Sequence, residues 1–189
     1  MLNNLYLKKI FIIFILFSSN LSSSEIWILD KNLSTIKFEL PVFLANNVEG
    51  KFKRIDGVIE IDTNQKLQNK AIFSVNINSI EMNYKKYKNL LLSDIFFDVK
   101  QFPIALIDTK KFSYQNESLL DLIVELNIKG ITKKVPLKVK VDILSDGVAQ
   151  IKGKLVFSRT EFRIGTGNWS STKILKDEII IHANLFLFK

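Results

Sequence analysis

Hydrophobic and polar residues alternate most regularly over residues 120–143. In the first half every second residue is apolar, and Ile123 is the one apolar residue on the polar side; the apolar set is Leu120, Leu122, Val124, Leu126 and Ile128. The second half repeats the pattern with Val135, Leu137, Val139, Val141 and Ile143. Because successive side chains of a strand point to opposite faces, the pattern predicts two long half-buried strands. The connection 129–134, which contains Gly130, predicts an antiparallel hairpin with one apolar face.

Similar patterns predict strands along most of the chain after residue 25. Besides the hairpin, the predicted strands are 26–40 with a break at Lys31-Asn32, 51–62, 72–80, 104–112, 148–158 and 179–188. Residues 81–100 lack the two-residue period, which predicts a helix or structured loop across one end of the sheet. No repeat, linker or low-complexity segment divides the chain. About eight strands joined by short turns pack either as two sheets or as a closed barrel, and closure removes the sheet edges.

Residues 1–24 have the composition of a secretory signal peptide. Lys8 and Lys9 precede the apolar run 10–17, and small polar residues follow in 18–24. The run is shorter than the roughly 20 apolar residues that span a bilayer, so we expect cleavage, with an uncleaved anchor as the alternative. The chain contains no Cys, so an exported domain over 25–189 is stabilised by its core alone. We therefore expect a periplasmic or secreted bacterial protein.

The formal net charge is +8, and the largest group of lysines lies on the polar side of the hairpin. This group consists of Lys129, Lys133, Lys134, Lys138 and Lys140. A solvated strand face explains the group most simply. Nucleic acid is a poor partner for an exported chain without exposed aromatic residues on that face. An anionic membrane surface is a better candidate, because it would attract the lysines from a distance.

The sequence offers little for catalysis or metal binding. Without Cys there is neither a thiol nucleophile nor a thiolate ligand. The single His182 is in phase with Asn184 and out of phase with Ile181, which predicts an outward-facing strand residue. Asp94 and Asp98 could form an acid–base pair, but helix capping explains them more simply. We expect no enzyme, no catalytic residue, no metal and no cofactor other than a bound lipid.

The chain is rich in Phe, with 15 residues in total. In a β protein Phe belongs by default to the core. An eight-stranded barrel is also the size at which the interior either fills with side chains or holds one small ligand. Walls rich in Phe would suit a long apolar ligand, because each buried methylene contributes about 0.8 kcal/mol.

Five short segments, taken in their order along the chain, carry a resemblance to a known protein family. They are Trp27-Ile28-Leu29-Asp30, Val48-Glu49-Gly50-Lys51-Phe52, Phe96-Phe97-Asp98-Val99, Leu126-x-Ile128-Lys129-Gly130-Ile131-Thr132-Lys133 and Phe157-Ser158-Arg159-Thr160-Glu161-Phe162. Together they resemble the YceI-like family of bacterial polyisoprenoid-binding periplasmic proteins. The resemblance implies an extended lipocalin-like barrel whose elongated pore holds an isoprenoid chain, and it implies no catalytic residues. Residues 87–91 and Arg163, which stands where a small residue is usual, depart from the family pattern.

We therefore predict an all-β protein with a single extended antiparallel eight-stranded barrel and a short helix or loop near 81–95. Its predicted function is to sequester or carry a polyisoprenoid, such as an isoprenoid quinone or its precursor. The alternative is a non-enzymatic envelope stress or interaction protein with a packed barrel and a basic partner-binding face. The oligomeric state is left open, with a homodimer as one option. The candidate ligand-lining residues are Phe38, Phe73, Leu90, Phe96, Phe97, Phe102, Leu126, Val139, Phe157 and Phe162.

Overall fold

The computed structural model describes residues 24–42, 46–62, 68–82, 85–114 and 118–189. The expected signal segment lies outside the described residues, except for Ser24, which begins the first strand. Within the described residues, no helix combines the length and the apolar character needed to cross a lipid bilayer.

The described part of the chain contains eleven strands, one α-helix and three short 3₁₀ turns. The strands are β1 Ser24–Leu29, β2 Thr35–Leu40, β3 Val48–Phe52, β4 Ile55–Asp62, β5 Asn69–Asn76, β6 Ile80–Glu81, β7 Ile104–Phe112, β8 Leu119–Ile128, β9 Ile131–Ser145, β10 Val148–Ser158 and β11 Glu178–Phe188. The helix α1 spans Lys85–Leu92. The 3₁₀ turns are Ile77–Ser79, Thr160–Phe162 and Gly167–Trp169.

Eight of the strands close into an antiparallel barrel. The hydrogen-bonded order is β1, β4, β5, β7, β8, β9, β10 and β11, and β11 returns to β1 by pairing Phe188 with Ile28 and Leu187 with Leu29. Closure gives every one of these strands two neighbours, which removes free edges. The predicted all-β barrel with one short helix is confirmed, and the two-sheet arrangement is excluded.

The other three strands lengthen the barrel wall at one end. The edge of β11 that meets β1 also pairs with β2 over Ile180 to Asn184. β3 pairs with β2, and β6 pairs with β3. Strands β1 and β2 therefore act as one interrupted strand, as do β3 with β4 and β5 with β6. We call the end formed by β2, β3 and β6 the lower end and the opposite one the upper end.

Hydrogen bonds from backbone N–H groups to the side chains of Asp30 and Ser34 create the interruption between β1 and β2. Asp30 Oδ1 accepts hydrogen bonds from the backbone N–H groups of Asn32 (2.7 Å) and Leu33 (2.9 Å). Ser34 Oγ accepts a hydrogen bond from the N–H of Phe186 at 2.9 Å, so a donor of β11 that has no strand partner there is satisfied. The break predicted at Lys31-Asn32 is thus confirmed, and its cause is an Asp-based turn.

Helix α1 and the segment after it cover the lower end. The N–H of Phe97 donates to the carbonyl of Leu91 (3.0 Å), and the N–H of Gly165 donates to the carbonyl of Ile95 (2.9 Å). Phe96 and Phe97 are buried beneath this cover. The lower half of the barrel is therefore packed with side chains, and the upper half contains the larger free volume.

The hairpin of β8 and β9 is longer, and its turn tighter, than the sequence predicted. Ile128 pairs directly with Ile131, and only Lys129 and Gly130 lie between the strands. Both have positive φ, 53° and 72°, as a two-residue type I′ turn requires. The connection predicted over 129–134 was therefore wrong in length, because residues from Ile131 onward already belong to β9.

Candidate functional site

An apolar cavity of about 380 Å³ fills the upper half of the barrel. This volume lies within the range of roughly 300–1,000 Å³ that is typical of small-molecule sites. All eight barrel strands contribute inward-facing side chains, because the two-residue alternation places one face of each strand inside. Representative wall residues are Trp27, Ile59, Phe73, Ile107, Leu122, Val139, Ile151 and Ile181.

Small residues leave the space that the cavity occupies. Ala71, Ala149, Gly153 and Ala183 all belong to the wall. Gly153 pairs with Ala183 on one side. A Cβ placed on Gly153 would lie 3.5 Å from Ala183 Cβ and 3.6 Å from Leu137 Cδ1, both ordinary van der Waals distances. A Cβ would therefore fit at Gly153, and its absence enlarges the cavity.

Polar wall residues are concentrated at the upper rim. Glu25 belongs to the first strand, Asp62 ends β4, and Tyr114 follows β7. The Oε1 atom of Glu25 accepts a hydrogen bond from Lys189 Nζ at 2.7 Å. That bond is the main cause of the raised pKa of the Lys189 ammonium group. The wall is thus apolar in depth and polar at its rim, which matches an elongated ligand with one polar end.

Thr109 is the polar wall residue inside this rim, and the protein itself uses its hydroxyl. The Oγ1 atom accepts a hydrogen bond from the N–H of Ala71 at 2.8 Å. It also lies 3.2 Å from the carbonyl oxygen of Ala71 and 3.0 Å from that of Lys110, to which it can donate. Thr109 sits where the register of β5 and β7 shifts. The hydroxyl therefore stabilises a β-bulge and does not make the cavity interior polar.

A second, smaller cavity of about 70 Å³ lies below the first. All of its wall residues are apolar. Four side chains belong to the walls of both cavities, and we call them the waist: Ile36, Ile107, Leu155 and Ile181. The two cavities are therefore arranged along the barrel and separated only by aliphatic side chains.

The structure distributes the ten predicted lining residues over three places. Phe73 and Val139 line the larger cavity. The smaller cavity takes five of them: Phe38, Phe96, Phe97, Leu126 and Phe157. The remaining three, Leu90, Phe102 and Phe162, line neither cavity. Whether any of the ten contacts a ligand stays a prediction.

The three residues outside the walls have identifiable packing roles. Phe162 is fully buried, and its ring meets that of Phe157 edge to face with centroids 5.1 Å apart. Phe102 packs on the turn at Gly130. Leu90 of α1, the helix that covers the lower end, packs against the buried core. Sequence reasoning chose them as aromatic or apolar residues near strand ends, but these irregular segments cover the barrel and do not line it.

The wall residues that sequence reasoning missed fall into two groups. Ile59, Leu137 and Ile181 share the inward phase of their strands, so the alternation contained a signal for them. Ala71 and Gly153 carry no such signal, because a small residue marks a cavity only when its neighbours across the barrel are known.

Other candidate groups lie away from the cavities. His182 is on the outer surface, as predicted, with Nε2 3.8 Å from Glu39 Oε1. Asp94 Oδ1 accepts a hydrogen bond from the N–H of Ile95 at 2.9 Å, which is a local turn contact. Among the residues that the structure describes, no three His, Asp or Glu side chains are grouped as a metal site would require.

Comparison with known sequences gives a family and partial relatives. A family model described as the YceI-like domain matches residues 27–187. The UPF0312 protein of Shewanella denitrificans is 26% identical over 105 residues, covering 56% of this chain and 55% of that protein. Protein YceI of Salmonella arizonae is 29% identical over 92 residues, covering 49% of this chain and 48% of that protein. The chain thus spans about half the length of the curated relatives that it matches.

Solved structures share the fold over most of the chain. BcnA of Burkholderia cenocepacia has a TM-score of 0.76 at 24% identity and covers 84% of this chain and 98% of its own. A polyisoprenoid binding domain from Saccharophagus degradans has a TM-score of 0.70 at 15% identity, covering 86% and 97%. The YCEI protein of Campylobacter jejuni has a TM-score of 0.66 at 24% identity, covering 79% and 89%. At these identities the likeness establishes the fold.

Proposed function

This chain belongs to the YceI-like family, and from that premise we propose that it is a non-enzymatic carrier that holds a polyisoprenoid lipid inside the barrel. The observation that carries the proposal is the cavity of about 380 Å³, which is apolar in depth and polar at its upper rim. The polyisoprenoid binding domain among the solved structures has the same fold, which supports the choice of ligand class.

The arrangement of the two cavities supports a chain-shaped ligand. They follow one another along the barrel, and only the waist side chains separate them. Rotation of aliphatic side chains such as Leu155 and Ile181 would admit an apolar tail into the smaller cavity. Each buried methylene contributes about 0.8 kcal/mol, so a few isoprene units are enough for tight binding.

The polar rim supports a ligand with a small polar head. Glu25, Asp62 and Tyr114 lie where the head group would remain near solvent. An isoprenoid quinone or a precursor of one has this form, with a long apolar chain and a compact oxygen-bearing head. The signal-like segment in residues 1–24 supports a periplasmic or secreted location for such a carrier.

The alternative of a packed barrel fits the structure less well. Native interiors are close-packed and contain few voids larger than a water molecule. A cavity of about 380 Å³ is far larger than that. Its apolar wall also offers few partners for water, so an apolar occupant suits it better than solvent does.

Mass spectrometry of an organic extract of the purified protein tests the proposal. We expect an isoprenoid lipid in the extract. In the variant Gly153→Leu, the new side chain would project into the cavity from a position that tolerates a Cβ, so the lipid content should fall at least tenfold while the protein stays folded.

The matched control is Val156→Leu, which adds apolar volume to the outer face of the same strand. It should bind as much lipid as the parent protein. A lipid-free extract of the parent, or equal lipid content in the Gly153→Leu variant, would show that the cavity is not a lipid site.

A further inference from the structure

A row of basic side chains crosses the outer surface of five neighbouring strands. The strand register pairs Lys138 of β9 with Lys154 of β10, and Lys154 with His182 of β11. It then pairs His182 with Lys37 of β2, and Lys37 with Lys51 of β3. Directly opposed residues on one face have Cβ atoms about 4.5–5.5 Å apart. We call these five residues the basic row.

A second pair of lysines lies beside the row. Lys140 of β9 is directly opposite Lys152 of β10, one outward position away from Lys138 and Lys154. Four lysines therefore form a square block on the outer face of these two strands. Of the five hairpin lysines grouped from the sequence, Lys138 and Lys140 belong to this surface. Lys129 is not part of it, because its Nζ donates to the backbone carbonyls of Asp94 and Arg163.

Acidic residues lie beside parts of this surface: Glu39, whose Oε1 is 3.8 Å from Nε2 of His182, is one outward position from Lys37 on β2 and directly opposite Glu49. Lys51 pairs with Glu81 at 3.6 Å, and Lys140 pairs with Asp142 at 2.8 Å. At the other end of the row, Asp121 is opposite Lys138 in the register. Among the residues that the structure describes, Lys37, Lys138, Lys152 and Lys154 form no ion pair.

The directly opposed lysines of this surface repel one another. Like charges directly opposite each other destabilise a strand pair. The register of β9, β10, β11 and β2 is fixed by the inward side chains that form the barrel interior, so the lysines cannot move apart by a shift of one strand. An anionic partner would relieve the repulsion that remains.

Exposed apolar side chains next to the lysine block indicate what kind of anion fits. Leu119 of β8, which is 71% exposed, pairs with Lys140. Ile123, which is 63% exposed, pairs with Pro136. Leu144 is exposed farther along β9. A nucleic acid or a free phosphate would leave these side chains in water, whereas the interface of a bilayer accepts lysines at the head groups and Leu or Ile between them.

We propose that the outer face of β8, β9 and β10, with the adjoining basic row, docks on an anionic lipid bilayer. The same three strands present Leu122, Val139 and Ile151 to the larger cavity on their inner side. Docking would therefore hold the cavity beside a bilayer. The docking surface rests on the outer face alone, whereas exchange of a lipid with that bilayer rests on the proposed function.

Vesicle co-sedimentation tests the proposal. The protein should bind phosphatidylcholine vesicles that contain phosphatidylglycerol, and bind pure phosphatidylcholine vesicles weakly. The triple variant Lys138→Gln, Lys152→Gln, Lys154→Gln should bind the anionic vesicles on the order of 100-fold more weakly, because each lysine near the surface contributes roughly fivefold. High salt should weaken binding of the parent protein, because it screens the attraction.

The matched control removes the same charge elsewhere. Lys70 of β5, Lys100 and Lys173 lie outside the basic row and outside strands β8, β9 and β10. Their triple Gln variant should lose about threefold or less, because these charges are not on the docking face and dissolved ions screen their attraction to the bilayer. Equal losses in the two triple variants would overturn the assignment to this face and leave only net charge as the cause.

Three further measurements separate the alternatives. The variant Leu119→Ser, Ile123→Ser should weaken vesicle binding even in high salt, where only apolar contacts remain; an unchanged affinity would contradict a bilayer partner. Heparin serves as a soluble polyanion, and strong heparin binding without vesicle binding would overturn the proposal as well. The Gly153→Leu variant should bind vesicles like the parent protein, so a failure of lipid carriage and a failure of docking remain distinguishable.

Discussion

At the scale of single residues, Arg159 stabilises the lower end of the barrel. It is completely buried, and all five of its N–H directions meet backbone carbonyl oxygens. These belong to Lys176 (2.9 Å), Ile164 (2.9 Å), Gly165 (3.2 Å), Ser171 (3.1 Å) and Leu175 (3.0 Å). Burial lowers the pKa of the guanidinium, and the charge of Asp177 opposes that shift. The loop between β10 and β11 is thus folded around one side chain.

We expect the substitution Arg159→Lys to lower the free energy of unfolding by about 3 kcal/mol or more, because three N–H donors cannot satisfy five carbonyls, of which those of Ile164, Gly165 and Leu175 accept buried hydrogen bonds. Urea denaturation measures the change. Arg54→Lys is the control, since Arg54 is exposed and makes one side-chain hydrogen bond, to Asn76; its cost should stay within about 0.5 kcal/mol. Equal stability of the two variants would contradict this role of Arg159.

Asp177 gives the same region a pH dependence. Burial by itself raises the pKa of its carboxyl, but hydrogen bonds from Ser158 and Thr160 and the charge of Arg159 outweigh burial, so the net pKa lies below 3.8. A depressed carboxyl pKa contributes stability that is present above the ordinary value and is lost as the pH falls through the folded value. We therefore expect Asp177→Asn to destabilise the protein at pH 7 and to reduce the loss of stability below about pH 4. Urea denaturation at pH 7 and at about pH 4 measures both effects. An equal loss of stability between the two pH values in parent and variant would contradict this role of Asp177.

At the scale of elements, the turn between β8 and β9 connects the hairpin to the cover of the lower end. Gly130 has a φ of 72°, and a Cβ there would lie 2.8 Å from Cε1 of Phe102. The ring of Phe102 therefore packs directly on the turn backbone. Its role is to join the segment after α1 to the hairpin, which explains why an aromatic residue at this position does not line a cavity.

We expect Gly130→Ala to be more destabilising than Gly147→Ala. Both residues have positive φ, so each substitution costs about 1–2 kcal/mol through the left-handed backbone. Only Gly130 adds a collision with Phe102, since a Cβ on Gly147 would be 3.7 Å from its nearest neighbour. The collision should add about 1–3 kcal/mol, measured by urea denaturation. Equal costs would show that Phe102 moves away freely.

The elements also show how far a sequence of this kind determines its fold. The inward phase of β8 to β11 was predictable, because each strand alternates over eight or more residues. Three long strands are each interrupted and so form β1 with β2, β3 with β4 and β5 with β6. Only the interruption at Lys31-Asn32 was predictable. The interruption after β3 depends on Ser79, whose Oγ accepts hydrogen bonds from the N–H groups of Lys53 (3.1 Å) and Arg54 (2.9 Å). The alternation of apolar and polar residues gives no sign of a hydrogen bond between residues so far apart in sequence.

At the scale of the whole molecule, the barrel combines a packed lower half with a hollow upper half. The aromatic residues that suggested a ligand site mostly pack the lower half, where they surround about 70 Å³. The larger volume lies where Ala and Gly replace bulky residues on facing strands. Composition therefore predicted an apolar interior, but the position of the larger cavity follows from which small residues the barrel brings together. The waist, which lies between the two halves, would set how far a ligand tail can enter.

We expect the waist variant Leu155→Ala to join the two cavities and lengthen the isoprenoid chains that the protein retains. Leu155 belongs to both walls and is buried, so truncation should also lower stability by about 2–5 kcal/mol. Mass spectrometry of lipids loaded from a mixture of chain lengths measures the shift. The control Leu126→Ala truncates a residue of the smaller cavity alone, so it should lower stability similarly without opening a passage. An unchanged chain-length distribution in Leu155→Ala, with the protein folded and loaded, would show that the waist does not limit the ligand.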